Sequence, residues 1–284
     1  MIAKYCKMAL ALSMLLMILS GCGQQAIKKA EILTNDQGLP EAEELLKKSS
    51  ELINSLESYS ISSKVDLQNY GETKEKLIWD GVVSTTEIKY IKSPYLLFSE
   101  THYKENDTTR KSFITDAYGI LENSGKQWEE ISDHYQKLLP SQKEQWKLAV
   151  DPYADLKNLD GLTMIIGQDE DSYILDVAGN IHNQTSQEGL YDSSGEEYTL
   201  VITTDMQYKN RYVVHKDTLL PKQKIQEIDQ AADYSPGKKT YSHRTITYTY
   251  EDFNSINTKK LVNEAKEIAK SVKEEIEKSV NEDN

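Results

Sequence analysis

The chain is almost without cysteine. Cys6 and Cys22 are the only two in 284 residues, and both fall within the first 22. From Gly23 onward there is no thiolate nucleophile, no cysteine metal ligand and no disulfide, so the fold rests on its core alone. Phenylalanine occurs three times against 18 tyrosines, and only three of the 33 basic residues are arginine. Tyrosine suits half-buried sheet surfaces, which leans the reading toward β structure. Histidine is thin: His102, His134, His182, His215 and His243 stand far apart with no HxxxH pair, so no zinc site is expected. No GxSxG, Walker loop or GxGxxG occurs, and nothing singles out one glycosidase pair among the 46 acidic residues. Asp169-Glu170-Asp171 lacks the spacing of an EF-hand and reads as a solvated turn. The sequence is therefore read as that of a non-enzyme with no cofactor and no metal.

The first 22 residues are the most informative. Lys4 and Lys7 precede an apolar run from Met8 to Leu19 that only Ser13 interrupts. About a dozen residues are too few to span a bilayer and fit the core of a signal peptide. The run ends in Leu19-Ser20-Gly21-Cys22, which resembles the lipobox of bacterial lipoproteins. That resemblance implies a diacylglyceryl group, with its palmitate-type chains, on the Cys22 sulfur and cleavage before Cys22. Two acyl chains hold a protein on a membrane far better than one, at about 0.8 kcal/mol per buried methylene. The expected location is the extracytoplasmic face of the cell membrane, with Cys22 as the lipid anchor.

Loss of residues 1–21 removes Lys4 and Lys7. The remaining 31 basic and 46 acidic residues give a net charge of −15. Such a body does not bind nucleic acid by counterion release, and anionic head groups repel it.

Residues 22–38 are polar and aperiodic and read as a flexible tether. Ala42, Leu45, Leu46, Ser49, Ile53 and Leu56 then recur at helical spacing after Pro40. From Tyr59 the period becomes two. Strands are expected at 59–68, 77–85, 86–92, 95–103 and 110–115, separated by short polar breaks. A helical block is expected over 129–159, followed by strands at 163–166, 172–177, 198–204, 208–215, 221–229 and 240–250. Between them, 180–195 reads as a long mobile loop. Leu261, Ala265, Ile268, Val272 and Ile276 form a last helical stripe amid Lys and Glu, expected to pack on the body.

The order of helix, long meander and interrupting helices resembles the LolA/LppX lipoprotein-carrier superfamily. Ala42 to Leu46 running through Leu56 to Ile61 is similar to that family's opening helix and first strand. Tyr95 to Glu100 after Ser93-Pro94, Ile114 to Leu121 followed by Trp128, and His215 to Pro221 resemble later strands and turns. The resemblance implies an α+β fold: a curved antiparallel half-barrel sheet with helices over its concave face. The expected organisation is a signal at 1–21, a tether at 22–38, a lipid- or lipoprotein-binding domain at 39–256 and a charged amphipathic helix at 257–284.

Two functions follow from the resemblance as expectations. One is binding of a hydrophobic ligand, a lipid or an acylated protein, in a half-barrel cavity. For that cavity Trp79, Tyr90, Phe98, Phe113, Trp128 and Tyr173 are the candidate lining residues. The other is an envelope interaction protein that assists a surface or cell-wall partner without carrying lipid.

Overall fold

The computed structural model describes residues 29–131, 150–158, 160–191, 197–235 and 238–282. Helix α1, Ala42–Ser55, follows Pro40 and carries Glu43 and Glu44 in its first turn, where the helix dipole favours acids. It buries Leu45, Ser49 and Ile53, three members of the expected stripe. Leu56 turns the chain directly into the sheet.

The sheet has eleven antiparallel strands. They are β1 (Ser58–Tyr70), β2 (Leu77–Ile91), β3 (Leu96–Tyr103), β4 (Thr108–Thr115), β5 (Gly119–Asn123), β6 (Trp128–Glu130), β7 (Asp160–Gln168), β8 (Ser172–Tyr191), β9 (Glu197–His215), β10 (Pro221–Ser235) and β11 (Lys238–Glu251). Their spatial order is β6-β5-β4-β3-β2-β1-β11-β10-β9-β8-β7. The chain thus starts in the middle and meanders out to β6. It then crosses to the far edge and meanders back until β11 pairs with β1, Ile61 opposite Tyr250. Helix α2, Thr258–Glu282, follows.

The register sorts every strand residue to one of two faces, because neighbours directly opposite share a side. Tyr59 and Ile61 lie opposite Tyr90 and Ile88, which lie opposite Leu97 and Ser99. Through Tyr250, Lys224 and Tyr212 the same face reaches Leu175. Helix α1 packs on this side, called the inner face here. Ile53 and Leu56 join Ile61, Leu97, Ile114, Ile120 and Tyr250. Leu45 joins Tyr173, Leu175, Val177 and Tyr212. Helix α2 packs on the opposite, outer face: Leu261 and Ala265 meet Ile91, Leu96, Phe98, Phe113 and Leu121. The two helices therefore do not share one face. Each fully buried aliphatic side chain in these clusters contributes about 1.5–3 kcal/mol.

Several expectations need correction. Segments 77–85 and 86–92 are one strand, β2, with register shifts opposite Val65/Asp66 and Asn69/Tyr70. Ser84, Thr85 and Thr86 include no glycine or proline to break the strand, and threonine favours one. Likewise 198–204 and 208–215 are joined in β9. The stretch 180–195 is not a long loop: β8 runs to Tyr191, and Asn180 to Gln187 pair residue by residue with Gln207 to Leu200. A strand held by backbone pairing needs few apolar side chains, so low hydrophobicity misleads there. In the expected helical block, Trp128–Glu130 is the edge strand β6 and Ala154–Asn158 is one 3-10 turn. The rest of that block, 132–149, lies outside the described residues, as do the signal and residues 22–28.

Candidate functional site

On the inner face the packed clusters occupy the end of the sheet nearest α1. Tyr59 donates through its hydroxyl to the Val150 carbonyl at 3.1 Å. The Tyr153 and Tyr212 rings meet at a tilt of 41°, their centroids 5.1 Å apart. Burial pushes the phenols of Tyr59, Tyr153, Tyr212 and Tyr250 well above the ordinary tyrosine range.

Beside these rings sits an ion pair with a buried lysine and a half-buried carboxylate. The Lys224 ammonium donates to Asp155 Oδ1 at 2.8 Å and to the Pro152 carbonyl at 3.0 Å. Gln226 Nε2 and Asn210 Nδ2 donate to Asp155 Oδ2 at 2.6 and 2.9 Å. Burial lowers the Lys224 pKa, and the Asp155 charge opposes that shift. Burial pushes the Tyr248 phenol up to about 12, with Asp155 adding to the effect. The cluster saturates its carboxylate with donors and clamps residues 151–158 to the middle of the sheet. Its chemistry is that of a latch: both charges are spent on each other. Among the described residues Asn210 Oδ1 is buried without a hydrogen-bond partner.

Beyond the clamp the inner face changes character. Ile181, Met206, Tyr208, Ile228, Ile246 and Leu67 continue it across β8, β9, β10, β11 and β1. These six belong to none of the three packed clusters. Arg244 lies among them on the same face, opposite both Ile228 and Leu67. It is exposed, and among the described residues it has no ion pair. The result is a row of apolar side chains with one cation in its middle.

The six candidate lining residues do not line one cavity. Phe98, Phe113 and Trp128 are on the outer face beneath α2, with ring centroids 4.8 and 5.7 Å apart. Tyr90 is on the inner face against Tyr59 and Tyr95. Tyr173 belongs to the other inner cluster. Trp79 is on the inner face at the far hairpin, 39% exposed. What the sequence reading missed is this apolar row. Its members are spread over five strands and become neighbours only through register, although each sits at an alternating position.

His243 pairs with Asp229 at 2.9 Å and His182 with Asp205. Among the described residues no three His, Cys, Asp or Glu side chains converge as a metal site. The Asp169 to Asp171 run is a turn in which Asp169 Oδ1 accepts from the Ser172 amide at 2.7 Å. Lys222 and Ser172 hold the Asp171 carboxyl down to about 2. No helix among the described residues is long and apolar enough to cross a membrane.

Fold and site together define an α+β protein built on one open, curved antiparallel sheet with two helices. Residues 41–270 match the family described as "Family of unknown function (DUF6612)", and the chain belongs to that family. The match extends past the sheet into the first half of α2. No curated protein matches the chain.

Proposed function

We propose that this is a membrane-anchored extracytoplasmic lipoprotein, tethered through acylated Cys22, that binds a hydrophobic ligand along the inner face of its sheet. The observation that carries the reading is the apolar row of Ile181, Met206, Tyr208, Ile228, Ile246 and Leu67 continuing past the clusters packed by α1. Ile228 is already buried and the other five are half-buried, so a ligand gains by covering what they still expose, and acyl chains are a fitting cover. Arg244 in its midst suits a phosphate or carboxylate head group. The open curved sheet is compatible with a half-barrel of the LolA/LppX kind, with α2 on the outer face as a departure from it.

Native mass spectrometry of the chain extracted in mild detergent tests the proposal. A lipid or acyl-peptide mass retained by the wild type and lost in Met206→Asp supports it. A bare chain that instead captures one envelope protein overturns it in favour of an interaction role. The anchor is tested separately: Cys22→Ala is expected to abolish palmitate labelling and leave the signal uncleaved.

A further inference from the structure

Three exposed large apolar side chains are consecutive: Leu77, Ile78 and Trp79, at 49%, 65% and 39% exposure. They begin β2, just after the turn spanned by the Gly71 amide donating to the Lys76 carbonyl. Lys74 and Lys76 stand beside them in that turn, with the Lys74 ammonium 5.6 Å from the Tyr241 ring centre. Glu72, Glu75 and Asp80 are the nearby acids in sequence. Trp79 has a seat. Gly81 has no side chain, and a Cβ placed there would come within 3.3 Å of the indole Cζ2.

The described N-terminal segment lies at the other end of the strands. Lys29 pairs with Asp217 at 2.9 Å and the Ala30 amide donates to the Asp217 carbonyl, in the β9–β10 turn. From there to Trp79 is about 30 Å along the strands. Yet both ends belong to the same face. Ala30 and Ile32 pack on the inner cluster of Tyr173, Leu175 and Tyr212, and Trp79 pairs with Asn69 on that same side.

We propose that the hairpin tip, residues 74–79, is a second membrane contact that docks on the leaflet holding the Cys22 lipid. The proposal rests on the anchor reading above. Tryptophan with aliphatic neighbours and flanking lysines is the composition of the bilayer interface: indole at head-group depth, aliphatic side chains in the acyl region, ammonium groups reaching the phosphates. Six residues separate Cys22 from the first described residue, Lys29, a reach of about 24 Å at most. A body so short of tether meets the bilayer with whatever surface its inner face offers. Trp79 is on the inner face and Leu77, opposite Tyr70, on the outer one, so the tip enters the leaflet end-on, with the inner face tilted toward it so that tether and tip engage together. A net charge of −15 after cleavage leaves little electrostatic attraction, so the contact depends on apolar insertion and is insensitive to salt.

The test uses the acylated full mature chain in phosphatidylcholine vesicles whose acyl chains carry bromine. Trp79 emission is isolated as the difference between wild type and Trp79→Phe. Quenching by bromine together with protection from aqueous acrylamide is expected, and Ile78→Asp is expected to abolish both. A Trp79 that acrylamide quenches equally with and without vesicles overturns the proposal, whether the tip is free or serves a protein partner. A second arm uses residues 23–284, which include the whole described fold, without the acyl group. Their vesicle association is expected to fall about ten-fold in Ile78→Asp at low and high salt alike. Loss of wild-type binding with rising salt also overturns the apolar contact. Acylation of Cys22, read by mass, is scored independently, so a failed anchor and a failed tip give different results.

Discussion

The two halves of the sheet are built differently. In β3, β4 and β5 consecutive residues are buried on opposite sides: Leu96 and Leu97, Phe113 and Ile114, Ile120 and Leu121. One of each pair meets α2 and the other belongs to the cluster that α1 joins. In β7 and β8 the inner residues Leu175 and Val177 are buried, whereas Ile165 on the outer side is 71% exposed. An open groove on that outer side is lined by Asp176, Lys209, Arg211 and Glu227, with Arg211 paired to Asp176 at 2.7 Å. One half is a three-layer core, and the other is a two-layer core with a wet back. The difference teaches where stability is concentrated and where the sheet is free to meet something else.

The sharpest way to break the comparison is at Phe113. It is fully buried between Phe98 and Trp128 beneath α2. Phe113→Ala is expected to cost about 3–5 kcal/mol, because it removes a large side chain and leaves a cavity under a helix. Urea denaturation reads the loss directly. A cost under 1 kcal/mol would mean that α2 does not form a real third layer.

The second test lies in the two-layer half. Lys224→Met strands the Asp155 carboxylate among its remaining donors and is expected to cost about 3 kcal/mol. Adding Asp155→Leu removes the stranded charge, and the double variant is expected to recover most of that loss. The coupling is measured by a double-mutant cycle. If the two single effects simply add, the clamp across residues 151–158 is not a unit.

Alkaline pH probes the face that both halves share. Tyr59, Tyr153, Tyr212, Tyr248 and Tyr250 are all inner-face phenols pushed up by burial. The folded chain keeps these protons where the unfolded chain releases them. Their stabilising contribution is therefore complete below pH about 10 and falls as pH rises further. For Tyr248 the window runs from the ordinary 10.0 to about 12, about 2–3 kcal/mol across it. Denaturant midpoints at successive pH values are expected to drop steeply above 10, and Tyr248→Phe to flatten that slope. A midpoint constant to pH 12 would contradict the inner-face burial.

Much of this plan was legible in the sequence, for reasons particular to each element. The stripe of Leu45, Ser49 and Ile53 announced α1, and the alternation from Tyr59 announced the sheet. The C-terminal stripe of Leu261 and Ala265 was readable too, but not the face it covers. Where both sides of a strand are buried, as at Leu96-Leu97, alternation vanishes and faces cannot be assigned without register. That is why the sequence alone groups Phe98, Phe113 and Trp128 with Tyr90 and Tyr173 in one expected cavity, whereas α2 covers the first three. The long β8–β9 hairpin was hidden for the opposite reason. Asn180 to Tyr191 is a strand by pairing and offers almost no apolar period.

The smallest effect is expected at Ile165. Its exposed side chain is on the outer face of the edge strand β7, where nothing described packs over it. Ile165→Ala leaves the backbone ladder to β8 intact, Ile165 still opposite Asp176. The change is expected to stay within about 0.5 kcal/mol, since surface substitutions away from caps, cavities and charges rarely exceed that. Set beside Phe113→Ala, the pair compares two apolar side chains on the same outer face of one sheet. The first is packed between Phe98 and Trp128 under a helix and the second is open, so a large loss at Ile165 in urea would show that the back of β7 is covered as well.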